Sequence, residues 1–206
     1  MRLYTFPKWL RGFFPGAIWE GSPINQSIYL TFDDGPHPEA TIFVLEELRK
    51  VNAKATFFCL GKNVALHPTI FNQIQEEGHE IGNHGYQHLK GWKTDTKTYL
   101  RDVEKGAELI PSTLFRPAYG KLKLRQFKAI QKLGFTPVFW SFISYDFDRE
   151  LTSAKRLENL MEKVKPGDII VFHDSAKALP QLKKELPEIL AFWKSKGYQF
   201  KTIKKP

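Results

Sequence analysis

The feature that most narrows the fold is a repeated alternation of short apolar runs with helical patterns. Strand-like runs, rich in β-branched and aromatic residues, occupy 28–32 (IYLTF), 55–60 (ATFFCL), 79–83 (HEIGN) and 114–118 (LFRPA). Three more follow at 135–141 (FTPVFWS), 168–172 (DIIVF) and 198–203 (YQFKTI). Between them, apolar residues recur at helical spacing: Ile42, Leu45 and Leu48; Ile70, Phe71 and Ile74; Tyr99, Val103, Ala107 and Ile110. Leu124, Phe127 and Ile130 continue the series, then Leu157, Leu160 and Val164, and last Leu182, Leu186, Ile189 and Trp193. Several of these patterns stop at a glycine just past the last apolar position, as Gly78, Gly134 and Gly197 do, which is the usual end of a helix. Seven strands alternating with six helices describe repeated βαβ units and a parallel sheet. Such a sheet either stays open with helices on both faces or closes. Seven short repeats between residues 28 and 203 favour an α/β fold of the distorted (β/α)7 barrel type, a reduced relative of the TIM barrel.

A chain of 206 residues suits one domain with a sizeable core. The reading divides it into an arm, 1–27, packed on the body, and a main domain, 28–206. No run is long and apolar enough to span a bilayer. The basic, aromatic start is interrupted by Pro7, Lys8, Arg11 and Pro15, so no signal peptide is expected. The compartment stays open between cytoplasm and the membrane periphery, where that start could make surface contact. The net charge of +9 favours anionic surfaces or polymers, but no nucleic-acid motif accompanies it, so no nucleic-acid partner is expected. A monomer is expected. Cys59 is the sole cysteine and lies in an apolar run, which excludes an internal disulfide and suits a buried small hydrophobe.

In parallel α/β folds, ligands gather at the carboxyl ends of the strands. The polar residues there are Asp33 and Asp34, then His84 and His88, Arg116 and Tyr119, Asp146 and Asp148, and His173 and Asp174. The opposite turns carry ordinary turn residues. His84 and His88 stand at i and i+4, so a helical turn would aim both rings at one ion. Two histidines and one aspartate would leave open positions for water and substrate, as hydrolytic zinc sites require. That arrangement gives the paired aspartates separate uses, one as ligand and one as general base. The bland alternative for the pair is a turn whose aspartates cap the helix beginning near Pro38.

The segments TFDDG (31–35), HGYQH (84–88), RPAYG (116–120) and VFHD (171–174) resemble, in order, the motifs of the polysaccharide deacetylase family. This is the NodB-homology group, carbohydrate esterase family 4. The resemblance implies a distorted (β/α) barrel that hydrolyses N-acetyl groups of a glycan such as peptidoglycan or chitin oligomers, with main domain 28–206 as its catalytic domain. It also implies that Asp33 is the general base and that Asp34, His84 and His88 hold one divalent ion, usually zinc, with Co2+, Ni2+ or Fe2+ as alternatives. Arg116 would orient the base, the Tyr119 backbone N–H would help hold the oxyanion, and His173 would protonate the leaving amine.

The chain departs from the family pattern in places. Gly85 follows the first histidine where Ser or Thr is usual, and Ala118 replaces a common proline. In the fourth motif, usually D-x-x-D-W, Ile143 replaces the first aspartate and Phe147 the tryptophan. Loss of that aspartate is expected to lower the pKa of His173, with Asp146 or Asp148 as the available substitutes. Three other readings carry less. A glycosidase would use Asp146, Asp148 and Glu150, as in the barrel chitinases they resemble, but leaves the histidines without a purpose. A carbohydrate-binding pseudoenzyme is suggested by the altered fourth motif. An iron oxygenase shares the two-His-one-carboxylate set. Trp92 is the better candidate for stacking on sugar, Trp140 for core packing, and His37 for a turn.

Overall fold

The structure is a computed structural model that describes residues 8–204. Its strands are β1 Ser27–Asp33, β2 Thr56–Cys59, β3 Glu80–Asn83, β4 Leu114–Phe115, β5 Thr136–Pro137, β6 Phe142–Ile143, β7 Ile169–His173 and β8 Gln199–Phe200. The helices are α1 Ala40–Lys50, α2 Gly61–Leu66, α3 Pro68–Glu76, α4 Thr96–Ala107, α5 Leu124–Lys132, α6 Ser153–Lys163 and α7 Leu179–Ser195. Every pairing between these strands is parallel, in the order β5-β4-β3-β2-β1-β7-β6, with β8 beside the start of β1. This is the curled parallel sheet of a (β/α)7-type barrel.

Strand periodicity sorts the side chains. In β1, Ile28, Leu30 and Phe32 join the large core between sheet and helices, with Ile170 and Phe172 of β7 beside them. The alternate residue Tyr29 packs with Phe58, Ile169 and Val171 in a second cluster on the inner face of the sheet. Thr31 and Asp33 share that alternation, so Asp33 reaches the strand end on the inner face.

The expected single strand at 135–141 is a correction. Its two ends pair with different neighbours: the Val138 N–H donates to the Phe115 carbonyl (2.7 Å), and the Ser141 N–H to that of Ile169 (3.1 Å). One extended run therefore leaves the β4 edge as β5 and arrives at the β7 edge as β6, crossing the gap between the two edges of the sheet. The segment before β1 lies along this crossing. Ile18 bridges Val138, Glu20 bridges Asp168, and Trp19 stacks on Phe139 at 4.2 Å and 10°. The basic start ahead of Lys8 falls outside the described residues.

Sequence periodicity passed over α2, whose six residues are too few to show a pattern before Pro68 starts α3. The α1 N-terminus is capped by His37, whose Nδ1 accepts from the Glu39 and Ala40 N–H groups at 3.3 and 3.1 Å. The aspartates are left for other work, and His37 serves its turn.

Trp19 is 7% exposed, so Trp19→Ala removes a stacked pair and opens a cavity beside the crossing run. The expected loss is about 3 kcal/mol of unfolding free energy, against under about 0.5 kcal/mol for exposed Trp92→Ala. Denaturant melts of the two variants measure it; equal melts would show that the arm adds nothing to closure.

Candidate active site

Consecutive strand residues normally point to opposite faces, yet both aspartates reach the same histidine. The backbone at Asp34 explains this: φ is +83°, a left-handed value that swings its side chain back toward the inner face. Asp33 Oδ2 and Asp34 Oδ1 consequently lie 3.9 and 3.8 Å from His84 Nε2. Two neighbours fix the turn. Asn63 of α2 donates to the Asp34 carbonyl at 2.7 Å, and fully buried Asp174 accepts from the Gly35 N–H at 3.0 Å. A Cβ at position 35 would sit 2.0 Å from the Asp174 carboxylate, so only glycine fits there. Burial, Thr41 and Asp34 act on Asp174, with burial the largest influence, and its pKa rises to about 8.

The loop from His84 to His88 is not helical, which corrects the expectation drawn from their spacing. Gly85 (φ +81°) and His88 (φ +61°) both take left-handed backbone, and the rings still converge, with centroids 5.1 Å apart. The loop has two supports. Asn83 Oδ1 accepts from the Gly85 N–H at 2.7 Å, and the Asp102 carboxylate of α4 accepts from the Tyr86 and Gln87 N–H groups at 3.0 and 2.9 Å. A Cβ at Gly85 would meet Asp102 Oδ2 at 2.7 Å. Where relatives were expected to place a hydroxyl, this chain places a glycine, and a carboxylate from α4 steadies the loop.

Ligand readiness follows from hydrogen bonding. A carbonyl only accepts, so the 2.7 Å contact of His84 Nδ1 with the Arg116 carbonyl puts a proton on Nδ1 and turns Nε2 toward the two aspartates. His88 Nε2 lies 3.3 Å from Asp34 Oδ1. Burial, followed by the neighbouring His84, pushes the His88 pKa down to about 4, so its ring is neutral as a ligand must be. Asp34 Oδ1 is buried and has no hydrogen-bond donor. An orphaned carboxylate oxygen facing two imidazole nitrogens, all within 4.8 Å, is a donor set that suits a divalent cation. Asp34, His84 and His88 could hold that ion.

Arg116 is fully buried, with its guanidinium 4.0 Å from the Phe58 ring centroid. Its Nη1 donates to Asp33 Oδ1 (2.8 Å) and to the Thr31 hydroxyl (2.6 Å), and Nη2 donates to the Phe139 carbonyl (3.1 Å). Burial alone would raise the Asp33 pKa, but the charge of Arg116, then His84 and His173, outweighs it, and the carboxyl lies below the usual range.

At His173 the expected fall in pKa does not occur, because Asp146, one of the two expected substitutes, takes the place of the missing aspartate. Ile143 does stand in that place, but Asp146, three residues on, receives both the His173 backbone N–H (2.6 Å) and Nδ1–H (2.8 Å). Asp146 is only 2% exposed, so it is no solvated acidic turn, and its carboxylate is engaged where a glycosidase would need it free. Burial, the largest single influence, favours the neutral ring. The charge and hydrogen bond of Asp146, with Asp34 and Asp33, together raise the pKa to about 9. The segment carrying Asp146 is clamped by Arg156 of α6, whose Nη1 donates to the Tyr145 and Asp148 carbonyls at 3.1 and 2.9 Å. Buried Glu185 of α7 holds that guanidinium in turn at 2.8 Å. Spacing gave no hint of Asn63, Asp102 or Arg156, because each acts on backbone outside its own helix.

Tyr119 is half exposed, with φ +60° and its ring 4.5 Å from that of His88. Trp140 is buried against Gly120 as expected, and Trp92 is exposed. Cys59 is buried, and burial followed by Asp174 and Asp33 pushes its thiol well above the ordinary value.

The polysaccharide deacetylase family model matches residues 20–138, more than half of the chain. The chain belongs to the polysaccharide deacetylase family. It is 33% identical to a peptidoglycan-N-acetylglucosamine deacetylase of Bacillus cereus over 193 residues, 91% of each chain. It is 35% identical over 190 residues to a chitooligosaccharide deacetylase of Azorhizobium caulinodans, covering 87% of this chain and 84% of the relative. Among solved structures, the Bc1960 peptidoglycan N-acetylglucosamine deacetylase in complex with 4-naphthalen-1-yl-N-oxidanyl-benzamide superposes with a TM-score of 0.85 at 31% identity. That match covers 95% of this chain and 93% of the other. The family assignment expected from the motifs holds.

Because the folded-state pKa of His173 is raised, its protonation stabilises the fold fully below the unfolded value near 6.5, and that contribution is lost as pH rises through about 9. Asp146→Asn should bring the His173 titration, followed by NMR, down toward the ordinary range and flatten stability across that window. An unchanged titration would remove Asp146 as the cause.

Proposed function

We propose that the chain is a divalent-metal-dependent hydrolase that removes N-acetyl groups from N-acetylglucosamine units of a polysaccharide or oligosaccharide. The observation that carries this reading is the orphaned Asp34 Oδ1, facing His84 and His88 beside the Asp33–Arg116 pair. Zinc suits a two-histidine, one-carboxylate set. Such an ion, when bound, supplies a Lewis acid that polarises the amide carbonyl and acidifies water.

The remaining work belongs to side chains of this chain. Asp33, held ionised by Arg116, accepts the proton of the attacking water. The Tyr119 backbone N–H is the donor to the oxygen on which negative charge develops. His173, protonated below about pH 9 and fixed through Nδ1 by Asp146, presents its other nitrogen to the leaving amine and gives it a proton. Burial and partners push the two groups apart, Asp33 down and His173 up, which is the separation a base and an acid need at one pH. The catalytic unit in this reading is the domain 28–206, with the part of the preceding arm around Ile18–Glu20 packed against its crossing run. Among the described residues, no helix is long and apolar enough to cross a membrane.

Purified protein should release acetate from N-acetylglucosamine oligomers and stop when chelated. Asp33→Asn should keep the ion and lose roughly 10²- to 10⁴-fold in kcat, while His84→Ala loses ion and turnover together. Metal analysis and acetate release on the same samples separate the two roles, and full activity in Asp33→Asn would overturn the base assignment. The high-pH limb of kcat, set by deprotonation of His173, should move to lower pH in Asp146→Asn.

A further inference from the structure

Around the mouth of the site, lysines are seated on aromatic rings that themselves touch the site histidines. Lys90 Nζ lies 4.7 Å from the centroid of the Tyr119 ring, the ring that packs 4.5 Å from His88. On the flank of the acid, Lys177 Nζ lies 5.4 Å from the Phe147 ring, which meets the His173 ring edge-on at 5.1 Å. Farther out, Lys121 Nζ lies 5.4 Å from exposed Trp92, whose Nε1–H is tied to the Leu122 carbonyl at 3.3 Å.

All three lysines are exposed, and among the described residues none of them enters an ion pair. A free surface lysine gains little from an anion because holding its long side chain still consumes what the contact yields. These side chains are already steered by the rings beneath them, since a cation within about 6 Å of an aromatic face is attracted to it. Lys90 and His88 both lie against Tyr119, so that ring is not open on both faces to a pyranose. Phe147 is likewise committed to His173 and Lys177. The rim therefore offers ammonium groups on both sides of the reacting centre more than it offers bare aromatic faces.

Resting on the deacetylase reading, we infer that the site takes N-acetylated glycan strands that carry anionic groups, carboxylate or phosphate, on sugars flanking the reacting unit, with Lys90 and Lys177 as their receptors. The neutral amide enters the centre, and the charges of its neighbours fall at the rim. The net charge of +9 acts in the same direction by raising the local concentration of such a polymer.

The test uses the full chain with strands of equal length: one carboxylated on alternate sugars, its methyl ester, and a phosphorylated counterpart. At low salt the carboxylated strand should exceed its ester in kcat/KM by about tenfold, from two contacts of roughly threefold each. That lead should collapse at about 0.5 M salt, where screening acts within a few ångströms. Lys90→Gln/Lys177→Gln should bring the ratio close to one; a ratio measured on one protein sample does not depend on how much of it is folded. A greater lead for the phosphorylated strand supports the proposal and assigns the anion as phosphate. Equal kcat/KM for the carboxylated, phosphorylated and esterified strands, or a lead that survives the double substitution, overturns it. Dissociation constants for the same strands, measured by calorimetry, should show the same ratio without turnover. Failure to release acetate from any strand would instead overturn the deacetylase reading, while the binding ratio still decides the role of the lysines.

Discussion

The ion pair of Arg116 with Asp33, sealed on the inner face of the sheet, is the interaction on which the site depends. Arg116 comes from the end of β4, Asp33 from the end of β1, and the Phe139 carbonyl that also receives the guanidinium lies on the crossing run between β5 and β6. One side chain thus ties β1 to β4 and to the crossing run, neither of which pairs with β1. A buried charge is tolerated only when paired and hydrogen-bonded, and removing one partner of such a pair costs about 3–5 kcal/mol. The pair that braces the fold is for that reason also the pair that keeps Asp33 ionised.

From Asp33 outward, support passes through the backbone more than through side-chain pairs. The left-handed turn at Asp34 is held by Asn63 and Asp174, and the left-handed loop of the histidines by Asn83 and Asp102. Each device gives a loop an unfavourable conformation and then saturates its N–H or C=O groups with a side chain from a helix or strand end. The outcome is three candidate ligand atoms, from Asp34, His84 and His88, within 4.8 Å of one another without a regular element running through them. Positive φ at Asp34, Gly85, His88, Tyr119 and Tyr145 follows the outline of the site closely.

Much of this was legible in the sequence, for physical reasons. Strand-end polar residues can be read because a parallel sheet places the ends of all its strands on one face, so Asp33, His84, Arg116 and His173 meet wherever the intervening helices lie. The split of 135–141 was not legible, because the run stays apolar and extended while only its neighbour changes, from Phe115 to Ile169. The conformation of 84–88 was misread because i, i+4 spacing describes a helix, whereas Gly85 permits a loop that reaches the same convergence. No sequence pattern marks Asp102 or Arg156, since their targets are backbone groups outside their own helices.

The surroundings of His173 show how one position of a motif can be lost without losing its effect. Ile143 taken alone predicts a weakened His173, and Asp146, one of the two substitutes expected from the sequence, fills the role. What the imidazole needs is a carboxylate at Nδ1, and any backbone that delivers one will serve. Here the chain leaves β6 after Ser144, reverses through Tyr145 at φ +60°, and returns Asp146 over His173. A loop so strained would not hold itself; Arg156 fastens its carbonyls, and Glu185 fastens Arg156. Asp146, the second aspartate of the motif, supplies the charge that position 143 lacks, and the buried ion pair between α6 and α7 clamps the segment that carries it.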